Sequence, residues 1–452
     1  MIAPRLIARR LLVLAILSAS SLAHGDNLLD IYRQAAQGDP QILAAAAAHR
    51  AALEALPQSL APFLPQVSAS ASTSRNREAI SNTTSSFFPN NTYNYNTHGY
   101  ALNLTQAVYH HDYYVQRRQA DSRVAQADAN YGAAEQDLIV RSAALYFDAL
   151  AARDSQSFAH AERDAIARQT EQAKQRYDVG LIAITDVQEA QARYDLAMAQ
   201  AITADNQLAS RDEALRELTG AQYDTLLGLG QALPLAVPEP NDMEQWVKTA
   251  LTQNLPLRAA QDALKIAQEE ISRRRAGHLP SLDLVGNHSV QNIGGGTLGG
   301  RDDTSSSVTL QLNVPLFSGG LVSSRTREAV QLQEQSREQL EQIRRATERQ
   351  SRDAFRGVTA SISTVNALKQ AVTSNQTALA ASEAGNEVGT RTMVEVLDAQ
   401  SNLYRAKRDY ARARYDYLLN TLRLKQAAGT LSPKDLELIN GFLAEAPATP
   451  GK

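Results

Sequence analysis

The sequence contains no cysteine and has little glycine, proline or aromatic character for its 452 residues. Without cysteine the chain has no disulfide, no thiolate metal site and no cysteine nucleophile. The 23 glycines and 15 prolines are few for this length, which predicts long uninterrupted elements rather than many turns. The formal net charge of -3 gives no electrostatic reason to expect a nucleic-acid partner.

The first 25 residues have the three parts of an export signal. Three arginines, Arg5, Arg9 and Arg10, precede the short apolar run 11–19, and a small-x-small cleavage site follows at 23–25. An apolar run this short cannot cross roughly 30 Å of hydrocarbon as a helix, and no later run is longer. We therefore expect an exported protein that can enter a membrane only as β-strands.

The rest of the chain repeats one order of elements, which predicts an internal duplication with repeats at 26–235 and 236–440. Each repeat has a helix, a strand pair and a long helical hairpin, and a flexible tail is expected at 441–452. The predicted elements are helices at about 28–60 and 243–277, strands at 66–76, 99–109, 281–292 and 305–314, and hairpins at 110–219 and 319–428.

The first helices of the two hairpins, 110–177 and 319–386, are the most informative feature. They lack proline and are rich in good helix formers, and their length corresponds to about 100 Å at the rise of an α-helix. Each ends at a glycine, Gly180 or Gly389, before a return helix. Helices this long require helical partners along their length.

The strand count indicates the architecture. Four strands cannot close a membrane barrel, because the smallest barrels have about 8 strands, whereas three chains supply about 12. The sequence therefore predicts a membrane β-barrel joined to a long α-helical barrel, as a homotrimeric hollow duct in contact with membrane lipid. A solid coiled coil, the simpler interpretation of the helices, does not explain the strands.

The segments VGLIAITDV (179–187) and VGTRTMVEVLDA (388–399) resemble the paired hairpin tips of TolC-like outer-membrane efflux proteins. GHLPSLDL (277–284) and VPLFSGGLV (314–322) are also similar to that family. The resemblance implies a trimer with a 12-stranded barrel in the bacterial outer membrane and a 12-helix periplasmic barrel. It also implies a periplasmic adaptor and an inner-membrane transporter as partners, with drugs, bile salts or secreted proteins as substrates.

The resemblance also implies a gate at the hairpin tips. Its residues, carried onto this chain, are Thr185, Asp186, Asn386, Arg391, Glu395 and Asp398. Asn386 replaces the tyrosine of the family pattern, and Glu395 replaces an aspartate. In a trimer Glu395 and Asp398 would form a ring of six carboxylates that favours cations. The alternatives are a solvated acidic first turn for these acids and an ordinary surface role for Arg391.

The hairpin tips are also implied, by resemblance, as the surface that the adaptor contacts. The tip residues are Gly180, Leu181, Gly389, Thr390 and Arg391. The sequence carries no HExxH, P-loop or GxSxG motif, so we expect no enzyme, no cofactor and no metal site. Two other classes stay open on the residues alone: a periplasmic adaptor with one long hairpin, and a structural coiled-coil surface protein.

Overall fold

The computed structural model describes residues 26–81, 84, 90–223, 225–230 and 233–444. The predicted export signal lies outside the described residues. The chain divides into two compact units by its internal contacts. The first unit contains the residues up to Ala44, Ala133–Asn254 and the residues from Thr347 onward. The second contains Ala45–Gly132 and Leu255–Ala346.

Helices make up most of the described chain. They are α1 (Leu28–Gly38), α2 (Pro40–Leu53), α3 (Ala55–Leu60), α4 (His111–Asp178), α5 (Ile184–Thr219), α6 (Met243–Gln253), α7 (Leu255–Arg275), α8 (Leu321–Glu387), α9 (Met393–Ala428) and α10 (Pro433–Asn440). The long helices α4 and α8 contain 68 and 67 residues. Within the described ranges, no helix is both long enough and apolar enough to cross a membrane.

The two continuous helices expected at 28–60 and 243–277 are each divided in the structure. Asp39 adopts an extended conformation between α1 and α2, because Pro40 sterically disfavours the α region for the residue before it. Asn254 is also extended, and its side-chain amide donates to the backbone oxygen of Ala427 at 3.0 Å. These side-chain and steric effects end the helices where helix-forming composition alone would continue them.

Four strands form one antiparallel sheet in the second unit. They are β1 (Gln66–Ile80), β2 (Asn91–Tyr109), β4 (Ser281–Ile293) and β5 (Arg301–Asn313), in the spatial order β1-β2-β4-β5. Strand β2 begins at residue 91 and not at 99 as predicted, because residues 91–98 pair with the end of β1. The pairing of β2 with β4 joins the two predicted repeats in one sheet.

The register gives this sheet two different faces, because cross-strand partners project to the same side. The apolar face carries Val67, Ala69, Ala71, Tyr100, Leu102, Leu104, Leu282, Leu284, Val290, Val308, Leu310 and Leu312. The polar face carries Ser68, Ser70, Ser72, Ser74, Asn103, Thr105, Asn287, Ser289, Gln291, Ser305, Ser307, Thr309 and Gln311. Apolar side chains remain largely exposed: Val308, for example, is 79% accessible.

The core of the first unit is formed by large side chains of α1, α4, α6 and α9. Tyr146 and Phe147 of α4 are fully buried there, and Phe147 stacks on Tyr415 of α9 with ring centroids 5.7 Å apart. The Tyr415 hydroxyl donates to Asp154 at 2.7 Å. Burial raises the pKa of Asp154, and this hydrogen bond partly offsets the cost of burying its charge.

An ion pair and a histidine–carboxylate hydrogen bond connect elements of the second unit. Arg118 of α4 donates to both carboxylate oxygens of Glu269 in α7, at 3.2 and 2.8 Å. His110, just before α4, lies 2.9 Å from Asp283 of β4. The bidentate Arg118–Glu269 pair restricts orientation as well as distance, so it holds the start of α4 beside α7.

A small two-stranded sheet lies in the first unit. Its strands are β3 (Gly228–Leu229) and β6 (Leu443–Ala444), which pair in antiparallel register. Phe442 and Leu443 also pack against the hydrophobic core of this unit. The tail predicted at 441–452 therefore begins with four folded residues, and its remainder lies outside the described residues.

Candidate functional site

The two hairpin tips turn in the same way. Gly180 and Gly389 have φ of 77° and 75°, in the left-handed region that favours glycine. At the first tip, the N–H of Leu181 donates to Arg176 and that of Gly180 donates to Tyr177. The second tip has the equivalent pair of bonds. Both tips are thus Schellman motifs, which satisfy the last carbonyl groups of α4 and α8.

The start of α9 is held by a capping box between Thr392 and Glu395. The N–H of Thr392 donates to Glu395 at 2.8 Å, and the N–H of Glu395 donates to the Thr392 hydroxyl at 3.3 Å. Arg391 lies 2.7 Å from the same carboxylate. The Thr392 N–H, and then Arg391, hold the pKa of Glu395 below its ordinary value. Glu395 therefore both caps the helix and carries a paired negative charge.

Asp398 is paired with a residue of the other hairpin. The guanidinium of Arg193 in α5 lies 2.7 Å from its carboxylate. Glu395 and Asp398, the two acids predicted for the carboxylate ring, are thus each matched by an arginine of the same chain. Sequence analysis did not identify Arg193, because a single arginine in the middle of a charged helix carries no local signal.

Asn386, which stands where the family pattern has tyrosine, connects both hairpins. Its side-chain amide donates to the backbone oxygen of Arg391 at 3.1 Å, and its oxygen accepts from Arg176 of α4 at 3.3 Å. Thr185 is exposed and Asp186 is half-buried in the first turn of α5. The described side chains include no hydrogen bond from Asn386 to Asp186; Asn386 donates within its own tip instead.

A groove of about 720 Å³ lies between the hairpins near these tips. Arg168 and Arg176 of α4 line one side, and Glu383 and Glu387 of α8 line the other. The Oε1 atom of Gln169, also in the lining, is buried and has no hydrogen-bond partner among the described residues. Below the tips, packing of Ile166, Ala173, Val187, Ala190, Ala197 and Leu397 fixes the helices. The helices hold the groove's charges in place because small alanines allow them to approach closely.

No cluster of three or more His, Asp or Glu side chains suited to a metal ion occurs in the part of the chain that the structure describes. The tip carries charge pairs and backbone turns, without a nucleophile beside a base. Such an arrangement can attract ions, exclude ions or hold two helices together. It is the chemistry of a gate or a contact surface.

The fold is shared with a channel of known structure. The crystal structure of the Campylobacter jejuni CmeC outer membrane channel matches it with a TM-score of 0.77 at 16% sequence identity, covering 92% of this chain and 90% of that chain. At this identity the likeness shows the fold alone. The long helical hairpins and the four-stranded sheet of this chain are thus elements of the fold of an outer-membrane channel.

Sequence comparison identifies the family. The model described as "Outer membrane efflux protein" matches residues 31–221 and 246–430, so the chain belongs to that family. Outer membrane protein TolC of Vibrio cholerae is 38% identical, over 94% of this chain and 96% of that protein. The alkaline protease secretion protein AprF of Pseudomonas aeruginosa is 30% identical, over 93% of this chain and 88% of that protein.

Family membership confirms the resemblance that the tip and strand motifs indicated. The protein is an outer-membrane exit channel with a large periplasmic helical part, and it is not an enzyme. The two other classes left open by the residues, a periplasmic adaptor and a coiled-coil surface protein, are decided against by the same match.

Proposed function

We propose that three copies of the chain assemble into a passive duct that serves an efflux pump, a type I secretion system or both. The sheet carries this proposal, because one of its faces is apolar, the other is polar, and two of its edges are open. The names of the relatives, an outer membrane TolC and a protease secretion protein, support both kinds of export.

The open edges are strands β1 and β5. Unpaired edge strands of this length favour pairing with another chain, and closure into a barrel removes every edge. Pairing of β5 with β1 of a neighbouring copy would use both edges at once. Three copies give about 12 strands, an even number within the range of outer-membrane barrels.

The two faces of the sheet determine which side of each strand would point to lipid and which to the lumen in such a barrel. Apolar side chains, including the exposed Val308, Leu310 and Leu312, would face lipid, and the serine- and threonine-rich face would line the lumen. Helices α4, α5, α8 and α9 of three copies would continue the duct as about 12 helices. A ring of that many helices is too wide for side chains to fill its centre.

We also propose that the repeats, 26–235 and 236–440, derive from one duplicated unit. Each contains a strand hairpin followed by a helix of nearly seventy residues and a return helix of 36 residues. The equivalent positions of Gly180 and Gly389 support this. With two similar repeats a trimer has approximate six-fold symmetry.

The hairpin tips would form the periplasmic gate of this duct. Glu395 and Asp398 would contribute six carboxylates around the axis, with Arg391 linking one hairpin to a neighbour. Thr185, Asp186 and Asn386 would complete the closed arrangement. The adaptor would contact the tip turns, Gly180, Leu181, Gly389, Thr390 and Arg391, and together with the inner-membrane transporter would open them.

Mass measurement and planar-bilayer recording of the purified protein in detergent test the duct. We expect a trimer that conducts with cation preference, and a Glu395→Ala, Asp398→Ala variant that loses this preference. A Glu213→Ala, Glu217→Ala variant removes the same amount of charge away from the tips, and it should keep the cation preference. A folded monomer that does not conduct would contradict the duct; unchanged selectivity in the tip variant would contradict the ring.

A further inference from the structure

Each strand hairpin carries one histidine–hydroxyl pair on the apolar face. Thr73 Oγ1 and His98 Nδ1 are 2.8 Å apart in the first hairpin, and His288 Nδ1 and Ser306 Oγ are 2.8 Å apart in the second. In each pair the two residues are direct cross-strand partners. Thr73 and His288 stand at the same position when residues are counted from the start of each hairpin, at Gln66 and Ser281. The two hairpins can therefore be compared residue by residue.

These pairs lie at the boundary of the apolar band. The loop end of each hairpin is the end at Ile80 and Asn91, or at Ile293 and Arg301. Between the pairs and the opposite end, the apolar face consists mainly of leucine, valine, alanine and tyrosine. Beyond the pairs, toward the loop end, it becomes polar. In a barrel this level corresponds to the border between hydrocarbon and lipid headgroups.

The first hairpin is cationic beyond this boundary. Arg75 and Arg77 of β1 are exposed on the apolar side of the sheet, and their register partners are Asn96 and Asn94 of β2. Along the described lengths of β1 and β2, this face has no Asp or Glu; Glu78 projects to the other side. Neither guanidinium is bonded to a residue that the structure describes.

The second hairpin differs at the equivalent positions. Val290 and Asn292 stand where the first hairpin has its two arginines, and Asp302 stands in place of Asn94. Asn292 donates to Asp302 at 2.5 Å. On the apolar side, the arginines of the described strands are thus confined to one hairpin in each copy, which makes the other hairpin an internal comparison.

We infer that Arg75 and Arg77, with Asn94, Asn96 and His98 beside them, bind the phosphate of a phosphorylated lipid headgroup in the outer leaflet. This rests on the proposed duct, in which this face meets lipid and the loop end is external. Arginine binds phosphate through two parallel N–H bonds, and the neighbouring amides add neutral donors. The apolar band just below would contact the acyl chains of the same lipid.

Charge complementarity favours this occupant over an apolar one. Two guanidinium groups without a partner among the described residues are costly at the edge of hydrocarbon unless an anion accompanies them. A phosphorylated headgroup brings that anion at the same depth as the arginines. Each arginine near a membrane surface contributes about 1 kcal/mol, so two correspond to a change of about 30-fold in affinity.

Native mass spectrometry of the full-length trimer with added bis-phosphorylated lipid A tests the site. We expect an Arg75→Gln, Arg77→Gln variant to bind this lipid about 30-fold more weakly and Arg77→Gln alone about fivefold more weakly. Dephosphorylated lipid A should bind the unaltered protein as weakly as the phosphorylated form binds the double variant. Arg301→Gln is the matched control, since it removes one positive charge near the loop end on the polar face. It should leave the affinity for lipid A unchanged.

Equal affinity of the double variant and the unaltered protein would overturn the inference, as would an equal loss in Arg301→Gln. If the double variant loses the trimer but keeps its affinity for the lipid, the inference is also overturned. The arginines would then bind an acidic group of the adjacent copy and not a lipid. Trimer mass and conductance are read separately in every sample. An unaltered protein that is neither trimeric nor conducting overturns the duct; a conducting trimer whose lipid binding ignores the arginines overturns only this site.

Discussion

Arg193 and Asp398 form an ion pair of 2.7 Å that joins the return helices α5 and α9 within one chain. Arg391 and Glu395 form a second pair of 2.7 Å at the neighbouring tip. Each acid of the proposed ring is therefore accompanied by an arginine of its own chain. Because both pairs are exposed, the arginines would weaken the effect of the ring on ions without abolishing it, and the effect would increase when the hairpins part.

We expect Arg193→Gln to increase both conductance and cation preference. The change leaves Asp398 without its counter-charge and removes one link between the hairpins. An ion pair this exposed contributes about 0.2–1 kcal/mol, so the open fraction should rise by no more than about fivefold. Single-channel recording and reversal potentials measure this. Arg216→Gln, whose pair with Glu213 lies along one helix, should leave both quantities unchanged.

The capping box at the start of α9 should weaken in acid. The pKa of Glu395 is lowered in the folded tip, first by the Thr392 N–H and then by Arg391. A lowered folded-state pKa gives stabilisation that is complete above the ordinary glutamate value of about 4.3 and is lost as pH falls through the lowered value. Hydrogen-exchange protection of 393–396, corrected for intrinsic rates, should therefore fall below about pH 4.

Glu395→Gln provides the control for this pH dependence, because glutamine can still accept the capping bond but does not titrate. Its protection should be lower at neutral pH, where the charge is lost, and should vary little between about pH 6 and pH 3. A wild-type profile as flat as that of the variant would show that Glu395 does not stabilise the tip through its charge.

Gly389→Ala should loosen the second tip through backbone strain alone. A Cβ at this position would meet nothing within 4 Å, but φ is 75°. The left-handed conformation costs a residue with a side chain about 1–2 kcal/mol. Protection at the end of α8 should fall about five- to thirtyfold. Gly389→Asn should lose less of this protection, because asparagine tolerates the left-handed conformation. An equal loss of protection in both variants would indicate a steric cause.

Neighbouring residues of β5 test the two faces of the sheet. Val308→Arg places a charge on the apolar face, which costs about 2–4 kcal/mol at the middle of a bilayer and should reduce the trimer recovered from outer membranes. Ser307→Arg, one residue away on the polar face, should assemble normally and lower conductance to cations. Trimer yield and conductance measure both variants. Reversed outcomes would mean that the polar face meets lipid.

The long helices were well predicted from the sequence, and the strands less so. Helix α4 begins and ends within one residue of the prediction, because uninterrupted helix-forming composition and a following glycine are local signals. The first half of β2, at 91–98, was left out of the predicted strand 99–109. It is a strand because β1 lies beside it and supplies the hydrogen bonds.

The candidate site shows the same division. The resemblance of the tip motifs named Glu395, Asp398, Arg391 and Asn386, and each of these lies at a tip. The arginines that pair with two of them were not predicted: Arg193 with Asp398 and Arg176 with Asn386. Their contacts join residues that are distant in the chain, and no spacing rule connects such residues.

By itself the sequence determined where the long helices run, where they turn, and that strand residues such as Val308 and Leu310 project to the side opposite Ser307 and Thr309. These follow from local periods of 3.6 and two residues, which depend on neighbouring side chains only. Only the tertiary structure decided that β2 pairs with β4 and that Arg193 accompanies Asp398. Those choices depend on packing between distant segments, where many pairings satisfy the same local pattern and the free energy of the whole fold selects one.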